Sequence, residues 1–139
     1  MLLRHASADI EGFAQEDDHK KPLDDEGKID CKNLSYWLKK SYLDFDLVIT
    51  SDANRAMQTS SLVFEPLNVS IKKNSLFYLC SYEEILRYIK NLDNKISRVV
   101  VVGHEPSISE VMKEMLGSTR HDLQNLLRTP RKLVFLHSH

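Results

Sequence analysis

Short apolar runs alternate with stretches of helical periodicity through the sequence. The runs typical of buried strands cover residues 1–3, 47–50, 69–72, 99–102 and 133–136. The stretches with apolar side chains three and four residues apart cover residues 24–42, 52–64, 82–92 and a segment that Pro106 opens. The run 99–102 is four consecutive valines, so it predicts a strand that is apolar on both faces. Such strands, alternating with helices, indicate an α/β fold with three layers (α/β/α) and a mostly parallel central sheet.

The length and composition restrict the fold and exclude several classes of function. The chain has 139 residues, of which 42% are hydrophobic, and this predicts a single domain over residues 1–139. A formal net charge of −1 gives no electrostatic reason to bind nucleic acid, and no apolar run reaches the ~20 residues of a membrane-spanning helix. Cys31 and Cys80 are too few for a disulfide framework or a four-ligand zinc pattern. We therefore expect a cytoplasmic monomer that binds neither nucleic acid nor membranes.

Polar side chains suited to one chemistry follow three of the predicted strands. Parallel sheets bind ligands at the carboxyl ends of their strands, and the residues there are Arg4, His5, Ser51, Arg55, Gly103 and His104. Two guanidinium groups at one edge favour phosphate, whose oxygens accept paired hydrogen bonds. Cations near a histidine lower its pKa and leave the imidazole neutral and nucleophilic. The combination therefore predicts transfer of a phosphoryl group to a histidine nitrogen.

Four sequence motifs include these residues. They are Leu2-Leu3-Arg4-His5-Ala6, Pro22-Leu23 followed by Gly27, Ser51-x-x-x-Arg55-Ala56-x-Gln58-Thr59 and Val101-Val102-Gly103-His104-Glu105-Pro106-x-Ile108-Ser109. In this order they resemble the motifs of the histidine phosphatase superfamily. The short chain and its Asp18-x-x-Lys21-Pro22-Leu23 segment are most similar to the small SixA-type phosphohistidine phosphatases. The resemblance implies a phosphoglycerate mutase-like fold.

The resemblance also implies a role for each residue at the strand ends. By analogy, His5 is the nucleophile that becomes transiently phosphorylated. The residues expected to bind the phosphoryl group are Arg4, Ser51, Arg55, Gly103 and His104. No cofactor and no metal is implied, because arginine and histidine supply the positive charge that Mg²⁺ gives in other phosphoryl-transfer enzymes.

The general acid is open between two carboxylates. Small members of the superfamily often keep an aspartate before the Arg/Lys-Pro-Leu segment, which favours Asp18. Larger members place a glutamate after the second arginine motif, and Glu83 lies in that region, so Glu83 is the second candidate. A phosphohistidine substrate depends less on a general acid than other phosphate substrates do, because a protonated imidazole is a good leaving group.

Three functions are compatible with the sequence. The first is removal of phosphate from a phosphohistidine-bearing signalling or transfer domain, because so short a chain lacks room for insertions that close over small substrates. The second is hydrolysis of a small phosphoester, and the third is a non-catalytic phosphate-binding module. Tyr78, Tyr82 and Tyr88 are predicted to be helix-face or core residues rather than a base-stacking platform, because no basic groove accompanies them.

Overall fold

The computed structural model describes residues 1–9, 11 and 13–117. The strands in this part of the chain are β1 (Leu2–Arg4), β2 (Leu47–Thr50), β3 (Ile71–Lys73) and β4 (Val99–Gly103). The α-helices are α1 (Asp25–Lys40), α2 (Asn54–Phe64), α3 (Tyr82–Lys90) and α4 (Ser107–Gly117). Short 3₁₀ helices cover Gln15–Lys20, Glu65–Leu67 and Ser75–Phe77. The strand predicted at 133–136 lies outside the described residues, and none of the described helices is long and apolar enough to cross a membrane.

The four described strands form one sheet in the order β1-β4-β2-β3, and every neighbouring pair is parallel. The valine strand β4 lies inside the sheet, where Val101 pairs with Leu2 on one side and with Ile49 on the other. Because all pairs are parallel, the carboxyl ends of the strands meet at one edge. The predicted parallel sheet is thus confirmed, and its ligand-binding edge is defined.

Helices cover both faces of this sheet. Successive side chains of a strand point to opposite faces, so the valine run contributes to two separate cores. The core under α1 and α2 includes Leu38, Val48, Val63, Phe64, Val100 and Val102. The core under α3 and α4 includes Ile49, Ile85, Ile89, Val99, Val101, Ile108 and Val111. The described residues therefore form the predicted three layers.

Several predicted boundaries shift by one or two residues. Helix α2 begins at Asn54 rather than at residue 52, because Ala53 keeps an extended backbone with φ −62° and ψ 140°. Helix α4 begins at Ser107, immediately after Pro106. Strand β3 begins at Ile71 rather than at residue 69, which is where its pairing with β2 starts. Strands β1 and β4 each extend one residue further than predicted, to Arg4 and Gly103, so His5 and His104 are the first residues after these strands.

The start of α1 is attached to the loop that follows β1. Asp24 caps the helix by accepting from the N–H of Gly27 at 2.7 Å, and its second carboxylate oxygen accepts from the Ser7 hydroxyl at 2.5 Å. A Cβ atom at Gly27 would lie 2.2 Å from the carbonyl oxygen of Ser7, so only glycine allows the helix to approach this closely. Because Ser7 is two residues from His5, the contact also restrains the end of β1.

Candidate active site

Three strand ends bring most of the predicted site residues together. His5 follows β1, Ser51 follows β2 and His104 follows β4. Arg55 lies in the first turn of α2. The backbone N–H of His5 donates to the carbonyl oxygen of Gly103 at 3.1 Å, which joins the ends of β1 and β4. The ring centroids of His5 and His104 are 5.2 Å apart, and both Arg55 and His104 are only 8% exposed. A compact and largely buried group is therefore formed by His5, Ser51, Arg55, Gly103 and His104.

Arg55 contacts both histidines. Its Nε–H donates to Nε2 of His5 at 3.2 Å, and its Nη2 lies 3.4 Å from Nδ1 of His104. A guanidinium group has five N–H donors and no acceptor, so both of these ring nitrogens must accept. The second predicted arginine, Arg4, is exposed and lines the same cavity as His5 and Arg55. Two positive charges thus face one space beside the two imidazoles.

The hydrogen-bond network assigns a tautomer to each imidazole. The Nδ1–H of His5 donates to the carbonyl oxygen of Ala6 at 2.8 Å, so Nε2 keeps its lone pair. In His104 the accepting nitrogen is Nδ1, so Nε2 carries the proton and donates to the hydroxyl oxygen of Ser51 at 2.7 Å. A free electron pair on a neutral imidazole is what a nitrogen nucleophile requires. His5 Nε2 meets that requirement.

The environment of both rings favours the neutral form. Burial lowers the pKa of His5 from its ordinary 6.5, and the charges of Arg55 and Arg4 lower it further, against the opposing hydrogen bond to Ala6. Burial, with the neighbouring His5 and Arg55, lowers the pKa of His104 to about 4. Both imidazoles are therefore uncharged at neutral pH.

This electrostatic arrangement predicts how activity depends on pH. Because the pKa of His5 in the folded chain lies below 6.5, the acidic limb of the kcat/KM profile should be centred below pH 6.5. On this limb the fraction of neutral His5 decreases as the pH falls, and the rate should fall with it. The measurement is the pH profile of kcat/KM, corrected for ionisation of the substrate phosphate. An acidic limb centred above pH 6.5 would contradict the assigned state of His5.

Asp18 reaches the site from the 3₁₀ helix Gln15–Lys20. Its Oδ2 accepts from the Tyr78 hydroxyl at 2.6 Å and from Nη2 of Arg55 at 3.0 Å, and its Oδ1 lies 3.4 Å from Nζ of Lys21. The Tyr78 hydrogen bond, followed by Arg55 and Lys21, lowers the pKa of this carboxyl to about 2. Of the two candidate acids, Asp18 is the one beside Arg55, and it is ionised at neutral pH.

Glu83, the second candidate, lies elsewhere. It is exposed in the first turn of α3, and its carboxylate interacts with Ser81, Tyr82 and Arg87. It is not among the residues that line the cavity at His5. The structure therefore does not bring Glu83 to the histidines.

Tyr78 is a site residue that the sequence analysis missed. It was predicted on a helix face or in the core, and this is wrong: Tyr78 follows the 3₁₀ helix Ser75–Phe77 and precedes Ser81, the N-cap of α3. Its hydroxyl reaches Asp18, and its ring meets the His104 ring edge-on with centroids 5.5 Å apart. Helical periodicity carries no signal for a side chain outside the helix.

The site opens into a cavity of about 840 Å³. The ionisable residues that line it are Arg4, His5, Asp9, Asp18, Lys21, Glu26, Asp30, Cys31 and Arg55. Among the described residues, no three histidine, cysteine, aspartate or glutamate side chains are grouped so that they could hold a metal ion. Of the site residues, Arg4, His5, Asp18 and Arg55 line this cavity, whereas His104 is not among the lining residues and is linked to them through Arg55.

A comparison with protein families identifies the chain. The model of the histidine phosphatase superfamily (branch 1) matches residues 1–77, which include His5, Asp18 and Arg55. The chain belongs to the histidine phosphatase superfamily. As a member of that superfamily it is a phosphatase, and the family resemblance of its motifs is confirmed.

Individual proteins are similar to this histidine phosphatase in sequence or in fold. A curated relative, an uncharacterized protein of Mycobacterium leprae, is 25% identical over 130 residues, which cover 91% of this chain and 80% of the relative. A candidate phosphohistidine phosphatase SixA from Nakamurella multipartitia is 28% identical with a TM-score of 0.74, covering 94% of this chain and 72% of that one. The structure of a protein histidine phosphatase SixA complexed with tungstate is 24% identical with a TM-score of 0.73. The match covers 82% of this chain and 74% of that one.

The same fold also occurs in a phosphatase that acts on a small molecule. The alpha-ribazole phosphatase from Shigella flexneri is 17% identical with a TM-score of 0.64, covering 90% of this chain and 83% of that one. The superfamily fold therefore does not by itself identify the substrate.

Proposed function

We propose that this histidine phosphatase removes phosphate from phosphohistidine on a protein domain, with His5 as the nucleophile. The observation that carries the proposal is the state of Asp18, which is held by three donors and has no proton to give. An alkyl phosphoester leaves as an alkoxide and needs a proton from an acid. The imidazole of a protonated phosphohistidine leaves as a neutral ring. A site whose nearest carboxylate is ionised therefore favours the phosphohistidine substrate.

In the first step the phosphoryl group is transferred from the substrate to His5. Its Nε2 lone pair attacks phosphorus in line, and the bond between phosphorus and the substrate nitrogen breaks with its electron pair on the leaving imidazole. Arg4 and Arg55 stabilise the charge on the equatorial oxygens, and the imidazole of His104 completes the phosphoryl site. Arg55 lies within hydrogen-bond distance of both imidazoles, which supports this arrangement.

In the second step water hydrolyses the phosphorylated His5. An ionised Asp18 is suited to this step, because a carboxylate accepts the proton of the attacking water. The same low pKa that prevents Asp18 from acting as an acid in the first step thus lets it act as a base in the second.

A second candidate function is hydrolysis of a small phosphoester. It is favoured by the cavity of about 840 Å³ beside His5, because binding sites for small molecules commonly have volumes of roughly 300–1,000 Å³. In this case the leaving group must obtain its proton from solvent or from another donor, because Asp18 is ionised.

The two functions are separated by comparing leaving groups. We expect kcat/KM for a histidine-phosphorylated phosphotransfer domain to exceed that for an alkyl phosphate by at least ~10²-fold, the usual contribution of a general acid. An aryl phosphate, whose leaving group needs little protonation, should lie between them. Glu83→Gln is the control and should leave all three rates unchanged, because Glu83 is exposed and does not line the cavity. Equal rates for the alkyl ester and the phosphohistidine protein would establish the small-ester function instead.

A further inference from the structure

We propose that Tyr78 is a positioning residue that holds the Asp18 carboxylate against Arg55 for hydrolysis of the phosphorylated enzyme. The inference rests on the proposed function, since it assigns Asp18 the role of base in the second step. Nothing in the motifs of the chain or in the relatives described above points to this tyrosine. The three elements involved are the 3₁₀ helix Gln15–Lys20, helix α2 and the segment between β3 and α3.

The geometry of the Asp18 carboxylate supports this role. Its Oδ2 accepts two hydrogen bonds, from the Tyr78 hydroxyl at 2.6 Å and from Nη2 of Arg55 at 3.0 Å. Two donors from different elements define the orientation of a carboxylate that is otherwise 39% exposed on a short turn. Its other oxygen, Oδ1, faces Lys21 at the longer distance of 3.4 Å and is the oxygen left for a water molecule.

The backbone around Asp18 is already fixed, so Tyr78 acts on the side chain. The carbonyl oxygen of Asp18 accepts from Nη1 of Arg55 at 2.6 Å. Two residues further on, the carbonyl oxygen of Lys20 accepts from Nδ2 of Asn54 at 2.8 Å. Loss of the Tyr78 hydroxyl alone should therefore release the carboxylate without releasing the turn.

The Tyr78 ring is itself held in place. It meets the His104 ring edge-on at 5.5 Å and the His19 ring edge-on at 4.8 Å between centroids. Phe77, only 3% exposed, anchors the adjoining backbone in the core beneath α3. The hydroxyl is thus presented to Asp18 by a ring with contacts on two sides, which a phenylalanine at this position would keep.

The ionisation of the pair also agrees with the assignment. Burial and the neighbouring Asp18 raise the pKa of Tyr78, so the hydroxyl keeps its proton and remains a donor. The hydrogen bond from Tyr78 is the largest influence that lowers the pKa of Asp18. Because a lower pKa also makes the carboxylate a weaker base, the role assigned to Tyr78 is to orient Asp18 and not to increase its basicity.

In the reaction step that Tyr78 supports, water displaces His5 from phosphorus. The oxygen of water forms a bond to phosphorus while the bond between phosphorus and Nε2 of His5 breaks, and its electron pair returns to Nε2. One proton of the water passes to the Asp18 carboxylate and then to solvent. Inorganic phosphate leaves, and neutral His5 is restored.

Tyr78→Phe tests the proposal with the two half-reactions measured separately. The enzyme is phosphorylated with a radiolabelled phosphoramidate, and formation and decay of the acid-labile phosphoenzyme are followed by rapid quenching. We expect the rate of phosphoenzyme formation to change less than about twofold and the rate of its decay to fall about tenfold. The expected fall is smaller than the full contribution of a general base, because Asp18 itself is still present. The acidic limb of the decay profile should also move to higher pH, because the pKa of Asp18 rises when the hydroxyl is removed. Tyr88→Phe is the matched control and should change neither half-reaction, because Tyr88 packs against Phe77 and lines a cavity that does not include His5 or Asp18.

A double-variant comparison separates positioning from a structural effect. Asp18→Asn should slow decay by about 10²-fold, and adding Tyr78→Phe should slow it no further, because the two residues act as one unit. Unchanged decay in Tyr78→Phe, an equal loss in both half-reactions, or a further loss in the double variant would each overturn the proposal. Absence of any acid-labile label on the unaltered enzyme would instead overturn the proposed function itself.

Discussion

Replacing His5 with alanine is expected to lower turnover by about 10⁵–10⁶-fold, as is typical when an enzyme loses its nucleophile. Its Nε2 keeps an electron pair, because the Nδ1 proton is committed to the carbonyl of Ala6. His104 is the less accessible imidazole, because it is only 8% exposed and does not line the cavity that His5 lines. The measurement is turnover of an aryl phosphate together with acid-labile labelling from a radiolabelled phospho-donor.

Folding of this variant must be checked independently. His5 is only partly buried, and its backbone N–H to Gly103 is unaffected by the substitution, so the thermal unfolding temperature should change little. Imidazole added to the solution should restore part of the activity, because it can occupy the vacated space and attack phosphorus. Labelling of the His5→Ala chain to the same extent as the unaltered chain would show that another residue is the nucleophile.

Replacing Arg55 with alanine is expected to lower kcat by about 10²–10³-fold, or roughly 3–4 kcal/mol of transition-state stabilisation. The guanidinium is 8% exposed, and it contacts His5, His104 and Asp18 at once. Its loss removes a preorganised charge from the phosphoryl site and also leaves the two imidazoles and the carboxylate without their common donor. The rate is measured with an aryl phosphate, and the affinity for orthovanadate is measured alongside.

Two further variants make the Arg55 result specific. Arg55→Lys keeps the charge but lacks the planar set of five donors, so it should recover only a small part of the lost rate. Arg87→Ala removes an exposed arginine of α3 that lines a cavity without His5 or Arg55, and it should behave like the unaltered enzyme. Near-normal rates in Arg55→Ala would contradict the role assigned to this residue.

The parallel sheet and the position of the site could be predicted because both depend on local sequence patterns. The valines of β4 are at most 3% exposed, and only a strand covered on both faces accommodates four β-branched apolar residues in succession. Once the strands were located, the edge at which His5, Arg55 and His104 meet followed from the parallel arrangement. Their family motifs lie within these same segments, so the chemistry of phosphoryl transfer could also be predicted.

The choice between the two carboxylates required the folded chain. The family resemblance favours Asp18 over Glu83, but both are acidic residues near other charges, and neither charge nor periodicity shows which of them reaches the histidines. In the fold, Asp18 lies 3.0 Å from Arg55, a residue 37 positions away, whereas Glu83 interacts with its neighbours on α3. Contacts over such separations depend on how the helices pack on the sheet, which periodicity does not encode.

The strand pattern was thus sufficient to predict the α/β fold, and the family resemblance of the motifs was sufficient to predict a phosphatase. The ionised state of Asp18, the tautomers of the two histidines and the participation of Tyr78 became evident only in three dimensions. Each of these properties depends on a hydrogen bond between segments that are distant in the chain, such as the 2.6 Å bond from Tyr78 to Asp18 over 60 residues. Protonation responds to the donors and charges within a few ångströms of a group, and folding determines which groups those are.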